Sequence, residues 1–183
     1  MTNAARYITG TEQAKMIRTS LREAFPATTF TVRQSRGSAI TVAWADGPTV
    51  KQVDALVQRF AGGGFEASLD LGYSVQSYVK GEPVLFGQHF IFANRRLSLA
   101  FASRYLARAS AYYGFNADAF ALRGDGERGY RIDASDTRLV GWDAIALVAR
   151  KVDAYSHEAA KDSPTARQTG THAEVPSYIQ RGE

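Results

Sequence analysis

Residues 86–98 read FGQHFIFANRRLS, and this stretch decides the fold. Its first nine residues have the composition of a β-strand, with apolar side chains on both sides. Ile91 and Ala93 fall on one side together with His89, and Phe90 and Phe92 fall on the other. A strand that is apolar on both sides is typical of a central position in a sheet that is covered on both faces.

The segment that follows this strand has the pattern of a helix. Ser98 is a suitable N-cap and Gly114 a suitable C-cap, so we predict a third helix over residues 98–113. Its expected core stripe consists of Leu99, Ala102, Leu106, Ala109 and Tyr113.

Toward the N-terminus, two capping boxes predict two further helices. Thr9 with Glu12 begins a helix over about residues 10–25, and Thr49 with Gln52 begins one over about residues 48–60. Gly62, Gly63 and Gly64 are expected to end the second helix through the positive φ that glycine tolerates. Between the helices, residues 29–33 and 38–44 alternate in polarity and predict a β-hairpin.

Toward the C-terminus, the pattern predicts one more hairpin and one more helix. The hairpin pairs residues 120–123 with residues 130–132, and the helix spans about residues 141–156. The predicted fold class is therefore α+β, with an antiparallel or mixed sheet of about four to six strands covered by about four helices. We expect a single domain over residues 1–156 and, because large apolar residues nearly vanish afterwards, a flexible, disordered tail over residues 157–183.

Composition excludes several classes of function. The chain has 183 residues, a net charge of +4, no cysteine and three histidines, which excludes disulfides, thiolate metal sites and cysteine nucleophiles. Phosphate-loop, zinc-protease and serine-hydrolase motifs are missing from the sequence, so we predict no catalytic residue, metal or cofactor and a protein that is not an enzyme. His89, with Asp70 as its conceivable carboxylate partner, is interpreted as a structural histidine.

The sequence also limits location and membrane contact. No apolar run approaches the roughly 18 residues that a membrane span requires, and the first ten residues do not resemble a signal peptide. A cytoplasmic protein without membrane contact is therefore expected. The oligomeric state stays open.

One feature points to binding. Seventeen of the 22 basic residues are arginine, and the stretch from Pro83 to Ala117 holds no acidic residue at all. On the third helix, arginines and aromatic residues recur every three or four positions and share one face. The candidate partner- or nucleic-acid-binding residues are Arg95, Arg96, Phe101, Arg104, Tyr105, Arg108 and Tyr112, with Arg18 and Arg22 on the first helix.

Three interpretations of this face stay open. Alternating guanidinium groups and rings suit a nucleic-acid backbone with stacked bases. They equally suit a protein interface, where arginine and tyrosine are enriched among the residues that dominate affinity. The third possibility is a helix with two buried flanks whose arginines extend to solvent.

An ordered series of sequence blocks resembles a known family. The blocks are Ala14–Arg18, Leu21–Pro26, Phe30–Arg33, Ile40–Trp44, Asp46–Thr49, Val53, Phe60, Gly64–Phe65, Leu69–Leu71, Gly81–Val84, Phe86–Gly87, Phe90–Phe92 and Arg95–Arg96. Over about residues 11–98 the chain is similar to a large-polyvalent-protein-associated domain, the twenty-ninth of that series, which occurs in phages, plasmids and conjugative elements. Residues 99–156 form an extension outside the resemblance, and Glu66-Ala67-Ser68 stands where related chains usually read Asp-Gly-Met.

The resemblance implies a mobile-element protein that meets host DNA-processing or defence machinery, and it transfers no catalytic residue. We therefore expect a non-enzymatic counter-defence protein of anti-CRISPR or anti-restriction type. Its partner would be a host defence protein or ribonucleoprotein complex. The alternative is a DNA- or RNA-binding accessory protein for plasmid or phage maintenance or transfer.

Overall fold

The fold was analysed in a computed structural model, which describes residues 5–35, 37–66, 71–114, 116–134, 151, 155–156 and 158–172. Helices and several small β-sheets alternate along these residues, so the predicted α+β class is confirmed. Four α-helices are described: α1 (Gly10–Ala24), α2 (Val50–Val57), α3 (Leu99–Tyr113) and α4 (Pro164–Arg167).

The predicted helix boundaries are confirmed by their caps. The Thr9 hydroxyl accepts from the backbone of Glu12 while the Glu12 carboxylate accepts from Thr9, and Thr49 and Gln52 make the same reciprocal pair before α2. Ser98 caps α3, and Gly114 ends it with a φ of 71°. A short 3-10 helix, Gln58–Phe60, extends α2.

In the described residues, the strands divide into four sheets rather than one. They are β1 (Arg6–Ile8), β2 (Phe30–Ser35), β3 (Ala39–Ala45), β4 (Gly63–Glu66), β5 (Leu71–Ser74), β6 (Gln76–Val79), β7 (Glu82–Phe86), β8 (Phe90–Arg96), β9 (Phe120–Asp125), β10 (Gly129–Ala134) and β11 (Thr169–His172). The strand orders are β1-β7-β6-β11, β2-β3-β8, β4-β5 and β9-β10. Pairings β1–β7 and β3–β8 are parallel and the remaining ones antiparallel, so the two larger sheets are mixed.

One large apolar cluster, the main core, lies between α1, α2 and the inner face of the β2-β3-β8 sheet. Ile17 and Leu21 of α1, Val53 of α2 and Ile40 and Val42 of β3 are all fully buried in it. A second, smaller group, the α3 cluster, packs α3 against the β9-β10 hairpin. It consists of Phe101, Tyr105, Leu106, Ala109, Ala119 and Phe120, with Tyr155 packed against its aromatic members.

The prediction of a central β8 covered on both faces is wrong. In the described part of the chain β8 pairs with β3 on one side only. Ile91 is buried in the main core, but Phe92 on the opposite face is 54% exposed. The described helices that pack on this sheet lie against its inner face, which the alternation of apolar residues does not reveal.

The interpretation of the three glycines as a helix terminator through positive φ is also wrong. Gly62, Gly63 and Gly64 do not adopt positive φ, and Ala61 ends the 3-10 helix. A Cβ atom at Gly62 would collide with the carbonyl oxygen of Phe86. These glycines are needed because the backbone approaches its neighbours closely there.

The prediction of disorder beyond residue 157 is wrong for residues 158–172, the C-terminal arm. The arm adds β11 to β6 and buries Ala166 in the main core. Its contacts use backbone pairing and small side chains, so a search for large apolar residues misses it. The predicted helix over residues 141–156, with Trp142, Ile145, Val148 and Val152, falls almost entirely outside the described residues, as do residues 173–183.

Candidate functional site

The predicted binding face of α3 is divided by the structure. Phe101 and Tyr105 lie in the α3 cluster, only 5% and 8% exposed, so neither ring is presented to a ligand. Burial, helped by the neighbouring Tyr113 and Tyr155, raises the pKa of Tyr105. The buried stripe of α3 therefore differs from the expected one: Leu99 is 49% exposed because the hairpin and Tyr155 cover a different side of the helix.

The rest of that face is accessible. Arg104, Arg108 and Tyr112 are exposed, and Tyr112 makes an edge-to-face contact with Tyr113, their ring centroids 4.8 Å apart. Arg108 donates to the hydroxyl of Tyr155 over 2.9 Å and lies above its ring. This side of α3 therefore presents two arginines and an exposed tyrosine pair.

Arg95 is a structural residue. Its guanidinium donates to the carbonyl oxygens of Asp46 (2.7 Å), Gly47 (3.2 Å) and Tyr155 (2.8 Å) and lies 5.0 Å from the centroid of Phe101. These contacts join the end of β3, the end of β8 and the α3 cluster. Arg95 therefore supports the surface beside it more than it offers a free guanidinium.

Arg96 opens onto a groove of about 690 Å³ between the end of β8 and the β9-β10 hairpin. Five arginines and one aspartate are among its lining residues: Arg95, Arg96, Arg123, Arg128, Arg131 and Asp125. We call this the arginine groove. Clustered guanidinium groups beside one carboxylate produce a strongly positive concavity.

Hydrogen bonds hold the hairpin side of the arginine groove in place. The backbone N–H of Tyr130 donates to the carbonyl of Leu97 over 2.8 Å, and Arg96 donates to the carbonyl of Glu127. In the turn, the Asp125 carboxylate accepts from the backbone N–H groups of Glu127 (2.9 Å) and Arg128 (2.6 Å). Asp125 is thus engaged with the backbone of its own turn.

Arg123 and Arg131 stand directly opposite each other on β9 and β10. Like charges in such a cross-strand pair are destabilising. Asp133 lies 3.6 Å from Arg123 and 3.9 Å from Arg131, but all three side chains are largely exposed, so these ion pairs contribute little. Asp133 therefore does little to offset the repulsion between Arg123 and Arg131.

The remaining predicted residues lie on α1. Arg18 donates to the carbonyl of Val32 on β2 over 2.6 Å, and Arg22 follows one turn later on the exposed side of the helix. The nine predicted residues thus fall on the arginine groove, α3 and α1, with Phe101 and Tyr105 in the interior. They do not form one site.

The sequence analysis placed Arg123 and Arg131 on the strands of a predicted hairpin and Arg128 in its turn, and it missed all three as binding residues. The hairpin itself is confirmed. The missed signal was three arginines within nine residues, two of them at positions that a two-stranded register places opposite each other.

The described residues contain no group of three or more histidine, cysteine or acidic side chains that could hold a metal ion. His89 packs its ring edge-on against Phe90, while Asp70 lies outside the described residues. Among the helices of the described segments, none combines the length and the apolar character needed to cross a bilayer.

Comparison with known proteins supplies the remaining evidence. No curated protein and no solved structure matches the chain. The sequence model of the large polyvalent protein associated domain 29 matches residues 8–98, which run from β1 to the start of α3 and include nearly all of the main core. Residues 8–98 therefore belong to the large polyvalent protein associated domain 29 family, and the chain is a protein associated with phages and other mobile elements.

Proposed function

We propose that this protein is a non-enzymatic nucleic-acid-binding accessory protein of a mobile element, acting in the cytoplasm, with the arginine groove as its phosphate-binding site. The observation that carries the proposal is the cross-strand pair of Arg123 and Arg131 in a groove shared with Arg96 and Arg128. A like-charged pair that costs stability is understandable where an anion is bound between the two groups.

Guanidinium groups suit this role chemically. Each presents a planar set of donors that bonds two phosphate oxygens at once. Backbone phosphates carry no sequence information, so the groove would position a strand without reading it.

The test is the salt dependence of oligonucleotide binding. For the wild-type chain, log affinity falls with log salt by about 0.7–0.9 per phosphate neutralised. Replacing Arg123 and Arg131 by alanine is expected to flatten this slope by about 1.5 and to weaken binding about tenfold or more at moderate salt. Fluorescence anisotropy with labelled oligonucleotides measures both quantities.

The matched control is the double variant Arg104→Ala, Arg108→Ala on α3. It removes the same charge from a different exposed surface and is expected to leave the salt slope unchanged. Absence of salt-dependent binding by the wild-type chain would refute the proposed function. Loss of binding in the α3 variant alone would place the site on that helix instead.

A second candidate function is favoured by the exposed side of α3. Tyr112, Tyr113, Arg104 and Arg108 are of the residue types that dominate protein interfaces. This surface would suit a counter-defence protein that blocks a host CRISPR complex or restriction enzyme. In nuclease-treated host lysate, such a function predicts capture of one defined complex that the α3 double variant loses and the groove variant retains.

A further inference from the structure

The outer face of the β2-β3-β8 sheet is the feature that the proposed function leaves unexplained. Alternate residues of each strand point away from the main core, as the period of two requires. The register aligns Thr31, Ala43 and Asn94 in one row and Arg33, Thr41 and Phe92 in the next. No described helix covers this face, and its rows combine small, polar, basic and aromatic side chains.

Two phenylalanines form the most distinctive part of this outer face. Phe90 and Phe92 lie on the same side of β8 with ring centroids 6.4 Å apart and an angle of only 19° between their planes. Phe92 is more than half exposed. Two parallel rings beside solvent are a platform on which planar groups can stack.

The charge of the outer face selects the class of ligand. A polar groove of about 630 Å³ runs over it, lined by Thr29, Thr31, Arg33, Gln34, Ser35, Thr41, Ala43, Trp44, Ala45 and Arg96. None of these lining residues is acidic, and Arg33 and Arg96 supply positive charge. Hydroxyl groups such as those of Thr31 and Thr41 are also common donors to phosphate and sugar oxygens.

Arg96 lines both grooves. A backbone held in the arginine groove therefore has a direct route onto the sheet, where its bases would meet the phenylalanine rings. Only unpaired bases can present a face to such rings, because the bases of a duplex are stacked on one another.

We propose that the outer face of the β2-β3-β8 sheet binds single-stranded nucleic acid, with bases stacked on Phe92 and Phe90 and phosphates held by Arg33 and Arg96. The proposal rests on the proposed function, since the arginine groove supplies the adjoining backbone contact. It assigns the bases to the sheet and the remaining phosphates to the groove.

The experiment compares one sequence as a labelled single strand and as a duplex, in DNA and in RNA, by fluorescence anisotropy. Phe92→Ala is expected to weaken single-strand binding about tenfold, the usual order for one lost base stack. Duplex binding and the salt slope should stay unchanged, because no phosphate contact is removed. Equal affinity for the DNA and RNA single strands would indicate binding by stacking alone, whereas tighter binding of RNA would indicate an added contact to the 2′-hydroxyl.

Two control variants test whether the effect of Phe92→Ala comes from the loss of a stacking ring. Leu85→Ala removes another exposed apolar side chain, on β7, and should leave binding unchanged. Phe92→Trp keeps a stacking ring and should bind at least as tightly, with its fluorescence quenched by the single strand.

Equal single-strand affinity in the wild type, Phe92→Ala and Leu85→Ala would overturn this inference and leave the proposed function standing. Absence of binding to any strand by the wild type would overturn both.

Discussion

The main core and the α3 cluster differ in size and in how completely their side chains are buried. Eighteen buried apolar residues from both ends of the described chain build the main core, and many of them are fully inaccessible. The α3 cluster has six, all retaining slight exposure, with Tyr155 packed against them. The main core is thus the larger and more completely buried cluster, whereas the α3 cluster is a smaller unit beside it.

The contrast between the two clusters explains the position of the arginine groove. The arginine groove lies between the end of β8, which belongs to the sheet over the main core, and the hairpin, which belongs to the smaller unit. Its shape is therefore fixed by the way the smaller unit docks, with Arg95 and the Tyr130–Leu97 bond as links. Three predictions test this comparison.

The largest effect is expected from Gln13→Leu in the main core. The buried Gln13 amide donates to the carbonyls of Phe60 (2.7 Å) and Gln88 (2.9 Å) and accepts from the backbone N–H of Gln88 (2.9 Å). Leucine would remove the partner of the Phe60 carbonyl and of the Gln88 N–H, while the Gln88 carbonyl keeps its bond from the Gly62 N–H (3.0 Å), and we expect a loss of about 4 kcal/mol in the free energy of unfolding. Thermal denaturation should show a midpoint lower by about 10 °C.

Ser20→Ala is the control for this prediction. Ser20 is equally buried on the same helix, and among the described residues its hydroxyl has no hydrogen-bond partner. Its removal should be neutral or slightly stabilising. Similar losses of unfolding free energy in both variants would show that the hydrogen bonds of Gln13 do not stabilise the main core.

A smaller, local effect is expected from Tyr105→Ala in the α3 cluster. Removing this ring should cost about 3 kcal/mol within that unit. Amide hydrogen exchange should accelerate in α3 and the β9-β10 hairpin while α1 keeps its protection. Tyr112→Ala makes the same change at an 81% exposed position and should alter neither the stability of the α3 cluster nor its amide exchange. Equal loss of protection in α1 would mean that the two clusters unfold as one unit.

The smallest effect concerns the C-terminal arm and depends on pH. The Glu23 carboxylate accepts from the hydroxyls of Ser163 (2.6 Å) and Thr165 (2.9 Å) and from the backbone of Thr165 (3.0 Å). Burial raises the pKa of Glu23, but these hydrogen bonds and the charge of Arg22 outweigh it, so the pKa lies below its ordinary 4.5. The stabilisation is therefore complete above about pH 4.5 and is lost as the pH falls through the lowered pKa.

Nuclear magnetic resonance shifts of Thr165 and Ala166 should report this loosening of the arm as the pH falls below about 4.5. Glu23→Gln should abolish the pH dependence. Glu12→Gln removes another carboxylate whose pKa is lowered, by hydrogen bonds to Thr9, but at the far end of α1, and should leave the transition in place. A transition that survives in Glu23→Gln would assign the acid sensitivity to another group.

Local signals were sufficient for much of the fold. Thr9, Thr49 and Ser98 cap their helices as predicted, because a cap depends on residues three positions away. The alternation of Val32 and Val42 likewise identified the inner face of a sheet. The resemblance over residues 11–98 agrees with the matched segment from residue 8 to residue 98.

Long-range pairing was the part that local signals do not contain. β11 pairs with β6, about ninety residues earlier in the chain, and the local sequence from Thr169 to His172 does not identify β6 as its partner. The side of α3 that becomes buried depends on where the hairpin docks, so Phe101 and Tyr105 were assigned to the wrong side. Arg123, Arg128 and Arg131 were missed for a similar reason, since their position beside Arg95 and Arg96 depends on where the hairpin docks.

The order of strands β1-β7-β6-β11 has a consequence for biosynthesis. The two outer strands come from residues 6–8 and 169–172, so the sheet acquires its last strand only after residue 172 has left the ribosome. Until then β6 presents an unpaired edge, which is the kind of surface that recruits other chains. We expect slow completion of this sheet and a need for chaperone protection during translation, even though the family segment itself has already emerged.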